Sequence, residues 1–184
     1  MQDVMLDLET MGNTPNAAII AIGAVAFDPG AREIGDKFYI TVDLESSVAC
    51  GGVIDASTVI WWMQQGDAAR AEFAREGAHI AAALGRFGEW VLHSIPVPNN
   101  VRMWGNGAAF DNVILASAYR RAGLAQPWNF WNDRCYRTVK AAYPEVNVER
   151  SGTSHKAIDD AEYQARHLLA ICAHQGRVPK QDKK

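Results

Sequence analysis

Four acids and one histidine, set in three separated segments, are the residues of this chain whose types and spacing could do chemistry. They are Asp7 and Glu9 near the start, Asp111 in the middle, and His155 with Asp160 near the end. Alternate residues of an extended chain point to one side, so Asp7 and Glu9 share a face. Two carboxylates held together and partly desolvated repel each other unless a cation lies between them. Hard oxygen ligands of this kind suit Mg²⁺ or Mn²⁺. Taken singly, each fragment has a plainer meaning. Asp-x-Glu is also what a solvated strand end looks like, Asp111 is an ordinary first-turn acid favoured by the helix dipole, and His155 is a loop residue. Taken together, each beside an element boundary, they can hold two divalent cations and a neutral imidazole that accepts a proton from bound water. That is the equipment for cutting a phosphodiester bond.

The elements that must position these residues follow from periodicity and turn chemistry. Apolar runs at Val4–Leu8 and Ala18–Phe27, and the alternating run Lys37–Val42, predict three strands joined as a meander, with Asp28-Pro29-Gly30 as a turn. Residues 43–56 read as loop. A helix starts near Ser57 as N-cap, with Val59, Trp62 and Met63 on one side; a second spans about Gly66–Arg75 and a third about Gly77–Leu92. Val101–Trp104 predicts a fourth strand, and about Ala108–Ala122 a helix stopped by Gly123. Trp128–Trp131 reads as a short fifth strand, Asp133–Tyr143 as a helix, and Asp159–His174 as a final amphipathic helix. Three strands, a helical segment, then strand–helix–strand–helix–helix is an α/β order. It resembles the three-layer ribonuclease-H-like fold, with a central mixed five-stranded sheet presenting acids at one edge.

Composition bounds the function classes. The 184 residues predict one domain, residues 1–176, with 177–184 as a disordered tail. An apolar fraction of 48% with 21% charged residues is that of a folded globular chain. No apolar run is long enough for a membrane span, and the N-terminus does not read as a secretory signal. Cys50, Cys135 and Cys172 fit neither a disulfide framework nor a zinc clamp, which predicts a reducing, cytoplasmic setting. A net charge of −3 argues against wrapping a long duplex, since that draws on many Lys and Arg. It leaves room for an enzyme that grips a few nucleotides at one chain end and takes positive charge from bound metal. Gly105-Asn106-Gly107 resembles a dinucleotide-binding turn, but Phe110 stands where the third glycine belongs and no acid follows at the ribose offset.

Taken in order, Asp-x-Glu, Asp at a mid-chain helix start and His-x-Ala-x-x-Asp resemble the DEDDh exonuclease pattern over nearly the whole chain. Thr58-Val59-Ile60-Trp61-Trp62-Met63-Gln64-Gln65, followed by Ala69-Arg70, is similar to a helix of the phage exonuclease A and exonuclease VIII-like group, which includes the Rv2179c-like 3′-5′ exoribonucleases. Ala21-Ile22-Gly23-Ala24-Val25 is similar to that family's second strand. The resemblance implies that Asp7, Glu9, Asp111 and Asp160 ligate two Mg²⁺ or Mn²⁺ ions and that His155 is the general base. It also implies attack by water on the last phosphodiester, releasing 5′-mononucleotides from a 3′ end. The family's His-to-Asp offset selects Asp160 over the neighbouring Asp159.

Around these residues stand candidates for holding the terminal nucleotide. Trp61 and Trp62 are adjacent, so on a helix they diverge by about 100° and cannot share one surface. Val59 and Trp62 fit the apolar stripe, which leaves Trp61 to stack on a base. Thr10 and Asn106 flank the acids as polar contacts. Met11 is open between a wedge against the base and a core position, and Phe110 between core and stacking platform. The partners expected are 3′ ends of single-stranded DNA or RNA, with DNA preferred for the likeness of the tandem-tryptophan helix to the phage enzymes. Self-association as a homodimer is left open. RNA trimming is the enzymatic alternative, and a non-catalytic nucleic-acid-binding module or a proofreading subunit the alternatives of other classes.

Overall fold

A computed structural model of the chain describes residues 1–71, 75–107 and 109–176. Five strands form one sheet: β1 (Asp3–Thr10), β2 (Ile19–Asp28), β3 (Glu33–Thr41), β4 (Arg102–Gly105) and β5 (Asp133–Cys135), in the order β3-β2-β1-β4-β5. β1 and β2 pair antiparallel, as do β2 and β3, while β4 runs parallel to both β1 and β5. The sheet is therefore mixed, and β1 lies at its centre. The helices are α1 (Leu44–Ala49), α2 (Ala56–Met63), α3 (Asp67–Arg70), α4 (Ile80–Ser94), α5 (Asp111–Arg121), α6 (Tyr136–Ala142) and α7 (Ala157–Gln175).

The period of two along β1 sorts its side chains into the two outer layers. Val4, Leu6 and Leu8 face α4 and α5, where they join Leu84, Phe87, Ile114 and Leu115 in one core. Met5 faces the other way and packs with Val25, Phe27, Tyr136, Ala161 and Leu168, the last two on α7. Asp7 and Glu9 share the Met5 face. Helices on both faces of a mixed five-stranded sheet give the ribonuclease-H-like three-layer architecture that the strand and helix order predicts.

Gly23 pairs with Asp7 across β1 and β2. A Cβ at this glycine would stand 2.2 Å from the Ala157 carbonyl carbon and 2.3 Å from Ile158 N. The first turn of α7 thus rests directly on the strand backbone, which brings Asp160 down to the level of Asp7 and Glu9. Gly105 does the same for α5: a Cβ there would meet Asn112 Oδ1 at 2.4 Å and Asp111 Cβ at 3.0 Å.

Several element bounds differ from the sequence reading. The fifth strand is Asp133–Cys135, while Phe130–Asn132 is a 3₁₀ turn with Phe130 and Trp131 72% and 62% exposed. Aromatic content signals strand propensity, but ladder position is set by tertiary partners. Here Asp133 Oδ1 accepts from Trp128 Nε1 and Asn112 Nδ2, which fixes where β5 meets β4. The stretch 43–56 holds α1, capped by Asp43, whose carboxylate accepts from the Glu45 and Ser46 amides. α2 begins at Ala56 after Asp55, two residues earlier than a Ser57 cap allows. Of the expected second helix, Asp67–Arg70 is helical and residues 72–74 lie outside the described residues, as does the tail 177–184. Among the described residues no helix is long and apolar enough to cross a membrane.

Gly23→Ala drives a methyl into backbone that cannot rotate away, and overpacking of this kind costs about 1–3 kcal/mol or more. The variant is expected to melt several degrees lower by calorimetry and to lose the metal-induced rise in Tm described below. Gly85→Ala in α4, where a Cβ meets nothing within 4 Å, serves as the control and should be neutral or stabilising by about 0.5–1 kcal/mol.

Candidate active site

Asp7, Glu9 and Asp160 each present a carboxylate oxygen within 4.8 Å of the others. They line a cavity of about 530 Å³ together with Thr10, Trp61, Asn106, Phe110 and His155. Two of the three acids come from alternate positions of β1 and the third from the first turn of α7, so the cluster exists only because α7 sits on Gly23. A hard cation with oxygens at about 2.0–2.1 Å spans opposite ligands about 4.2 Å apart, so a small closure of the trio encloses one.

The electrostatics fit a missing positive charge. The Asp7 carboxyl is held well above the usual carboxylate range, first by burial and then by repulsion from Asp111 and Glu9. Asp111, only 1% exposed, is pushed up to about 6 by burial, against hydrogen bonds that favour its charged form. Gln164, one turn after Asp160 on α7, donates from Nε2 to Asp7 Oδ1 at 2.7 Å. Its Oε1 is buried with no hydrogen-bond partner among the described residues. Arg150, on the loop before α7, forms an ion pair with Asp160 and lies 5.0 Å over the Tyr163 ring. The residues present therefore fit a divalent cation: three hard oxygen donors whose mutual repulsion a metal would relieve.

Asp111 is not part of the trio. It starts α5, and its two oxygens accept from backbone amides, Oδ1 from Leu8 N at 3.1 Å and Oδ2 from Asn106 N at 2.7 Å. Through these bonds it ties the end of β4 to β1, and its charge acts on Asp7. Asp159 faces away: its Oδ2 accepts from Thr153 N at 2.9 Å and lies 3.7 Å from Lys156 Nζ. Asp160 Oδ2 accepts from His155 N at 3.0 Å, which folds the loop end onto the first turn of α7.

His155 has φ 62°, a left-handed conformation uncommon outside glycine and asparagine. That conformation sets its ring edge-on to Trp61 at 4.9 Å and to Trp62 at 6.1 Å. Burial, and then the Arg150 charge, hold its imidazole below the ordinary value of 6.5, so at neutral pH the ring is uncharged and can accept a proton.

Of the two tryptophans, Trp62 is 4% exposed and donates from Nε1 to Thr10 O at 3.0 Å, whereas Trp61 is 40% exposed. Thr10 spends its hydroxyl on Gly12 O at 2.7 Å. Asn106 accepts from Arg137 Nε at 3.4 Å. Phe110 lines the cavity and also packs on the larger core, so both roles considered for it coexist. Met11 does not line this cavity. It packs on the buried group Ile20, Trp62 and Ala69, because residue 11 follows a register shift at Glu9/Thr10 that turns the chain away. Sequence reasoning missed Gln164 and Arg150. The first could have been found as the residue one helical turn beyond Asp160 on the same face; nothing in the sequence marks the second.

A mixed sheet with a carboxylate cluster at the end of its central strand, closed by the last helix, is a ribonuclease-H-like arrangement with a candidate metal centre. Residues 2–172 match the 3′-5′ exoribonuclease Rv2179c-like domain, and the chain belongs to that family. It is 29% identical to an exodeoxyribonuclease of Enterobacteria phage T4, in an alignment covering 75% of this chain and 70% of the phage protein. Its fold is similar to the nuclease domain of 3′hExo, a DEDDh family member solved with rAMP: TM-score 0.63, 14% identity, 99% of this chain and 96% of that one. It is also similar to Escherichia coli exonuclease I in complex with single-stranded DNA, at TM-score 0.68 and 15% identity, covering 95% of this chain and 41% of that one.

Raised carboxyl pKa values have a definite consequence for metal-free stability. The folded state keeps protons that the unfolded chain releases near pH 4, so stability falls as pH rises from about 4 through the raised folded values. Asp7→Asn removes the largest share of this penalty and still accepts from Gln164. In EDTA it is expected to melt above the parent at pH 7–8 and to match it near pH 4, followed by circular dichroism. A parent whose Tm rises across that interval would contradict the assignment.

Proposed function

We propose that this chain is a metal-dependent 3′-5′ exonuclease that removes 5′-mononucleotides from single-stranded DNA. The observation that carries the reading is the trio Asp7, Glu9 and Asp160 sharing one cavity with a neutral His155. Two Mg²⁺ or Mn²⁺ ions would be held by these three acids together with Asp111. Bound there, they would supply the Lewis acid and lower the pKa of the attacking water. His155 takes the proton of that water as its oxygen adds to phosphorus. The bond from phosphorus to the 3′ oxygen breaks, and the leaving oxygen takes a proton from solvent. Trp61 offers an indole face to the terminal base, a contact worth about 1–3 kcal/mol and indifferent to sequence.

DNA is put first because the phage T4 relative is an exodeoxyribonuclease. The exoribonuclease description of the family favours RNA as the second reading. Matched DNA and RNA oligonucleotides labelled at the 5′ end separate the two, and either should give a descending ladder from the outset. Immediate release of a labelled mononucleotide would contradict the polarity.

Three measurements bear on the chemistry. Chelation should abolish turnover, and Mg²⁺ or Mn²⁺ should restore it while raising Tm; saturation at a hundredfold above Kd corresponds to about 2.7 kcal/mol. Asp160→Asn should lose both effects, whereas Asp159→Asn, which keeps an acceptor for Thr153 N, should retain most activity. His155→Ala should lose about 10²–10⁴-fold at neutral pH while still binding metal. In the parent, kcat/KM should fall at low pH with an acid limb below 6.5, the side to which burial and Arg150 shift the imidazole. That limb should flatten in the alanine variant.

A further inference from the structure

The acid cavity does not end at the acids. A second cavity of about 490 Å³ adjoins it, and the two share Asn106, Arg137 and Lys140 as common wall. Arg137 and Lys140 lie three residues apart on α6, on one helix face, and both are exposed. Among the described residues neither is in an ion pair. Most other long cations near the sheet are engaged: Arg102 with Asp3, Lys37 and Arg166 with Glu162, Arg150 with Asp160. In a chain of net charge −3, two unpaired cations on the saddle between two cavities form a local positive ridge. Beyond it the second cavity offers Tyr143, Pro144 and Asn147, an aromatic, a compact apolar ring and an amide.

We infer that this ridge is a phosphate track: Arg137 and Lys140 hold the internucleotide phosphate upstream of the scissile one, and the second cavity takes the nucleoside 5′ to it. The inference rests on the nuclease reading and adds to it the direction in which the strand leaves the acids. A substrate with a single nucleoside reaches only the acid cavity, whereas a longer strand must cross α6.

The test compares the parent with the double variant Arg137→Gln/Lys140→Gln and with Lys140→Gln alone, which leaves the Arg137–Asn106 contact in place. Substrates are the p-nitrophenyl ester of thymidine 5′-phosphate and di-, penta- and decathymidylate. In the double variant the ratio of kcat/KM for the decamer to that for the ester should fall about tenfold, and in the single variant about threefold. Binding of fluorescein-labelled decamer in Ca²⁺, followed by anisotropy, gives a readout independent of turnover. The slope of log Kd against log salt should shrink by about 0.7 in the double variant, the value for one phosphate neutralised on a single strand. An unchanged ratio with an unchanged salt slope would overturn the track. A parent that cleaves neither the ester nor any of the thymidylates would instead overturn the nuclease reading, while the salt slope still decides whether strands cross α6.

Discussion

Everything at this site depends on how closely α7 approaches the sheet. With no side chain at Gly23, the Ala157–Ile158 backbone rests on β2 and Asp160 descends to the level of Asp7 and Glu9. The approach brings three carboxylates together, and like charges at such separations in a partly desolvated cavity oppose it. What holds the helix down is apolar burial further along its length, where Ala161, Ala165, Leu168 and Ile171 are at most 1% exposed. Each large side chain so buried contributes about 1.5–3 kcal/mol. The helix is anchored by its middle so that its first turn can be held in an unfavourable place.

The unfavourable place is then partly relieved by neutral and cationic groups that are not themselves the acids. Gln164 donates to Asp7, the Leu8 and Asn106 amides donate to Asp111, and Arg150 pairs with Asp160. These differ in permanence. The amide bonds to Asp111 belong to strand and helix ends and are built into the fold. Arg150 is on a loop and half-exposed, so a divalent ion with a higher charge and shorter contacts can take its place.

A second coupling joins the base to the substrate platform. The left-handed backbone at His155 and the hydrogen bond from its amide to Asp160 aim the ring at Trp61. The same α2 that carries Trp61 is fixed to β1 through Trp62 and Thr10 O. The tandem tryptophans thus divide the labour: one anchors the helix to the strand bearing the acids, and the other stands open over the cavity.

The acids of β1, their shared face and the division of layers were legible in the sequence because strand period is a local property of the chain. The order of strands and helices likewise sufficed for the mixed sheet and the three layers. What lay beyond reach depended on partners distant along the chain. The fifth strand sits at Asp133–Cys135 because Asn112 and Trp128 hold Asp133 there, whereas Phe130 and Trp131, which look more strand-like, are left in solvent. Met11 packs against Ile20, Trp62 and Ala69 instead of lining the acid cavity, just past a shift in strand register. Asp111 is held by two backbone amides, one of them from a residue 103 positions away. Gln164 stands one helical turn beyond Asp160, but its contact with Asp7 and that of Arg150 with Asp160 are made only by the folded chain. Periodicity and side-chain type fixed which residues could do the chemistry. Only the packing of α7 and α5 on the sheet decided which of them meet, because side-chain contact is a property of the folded chain and not of the segment.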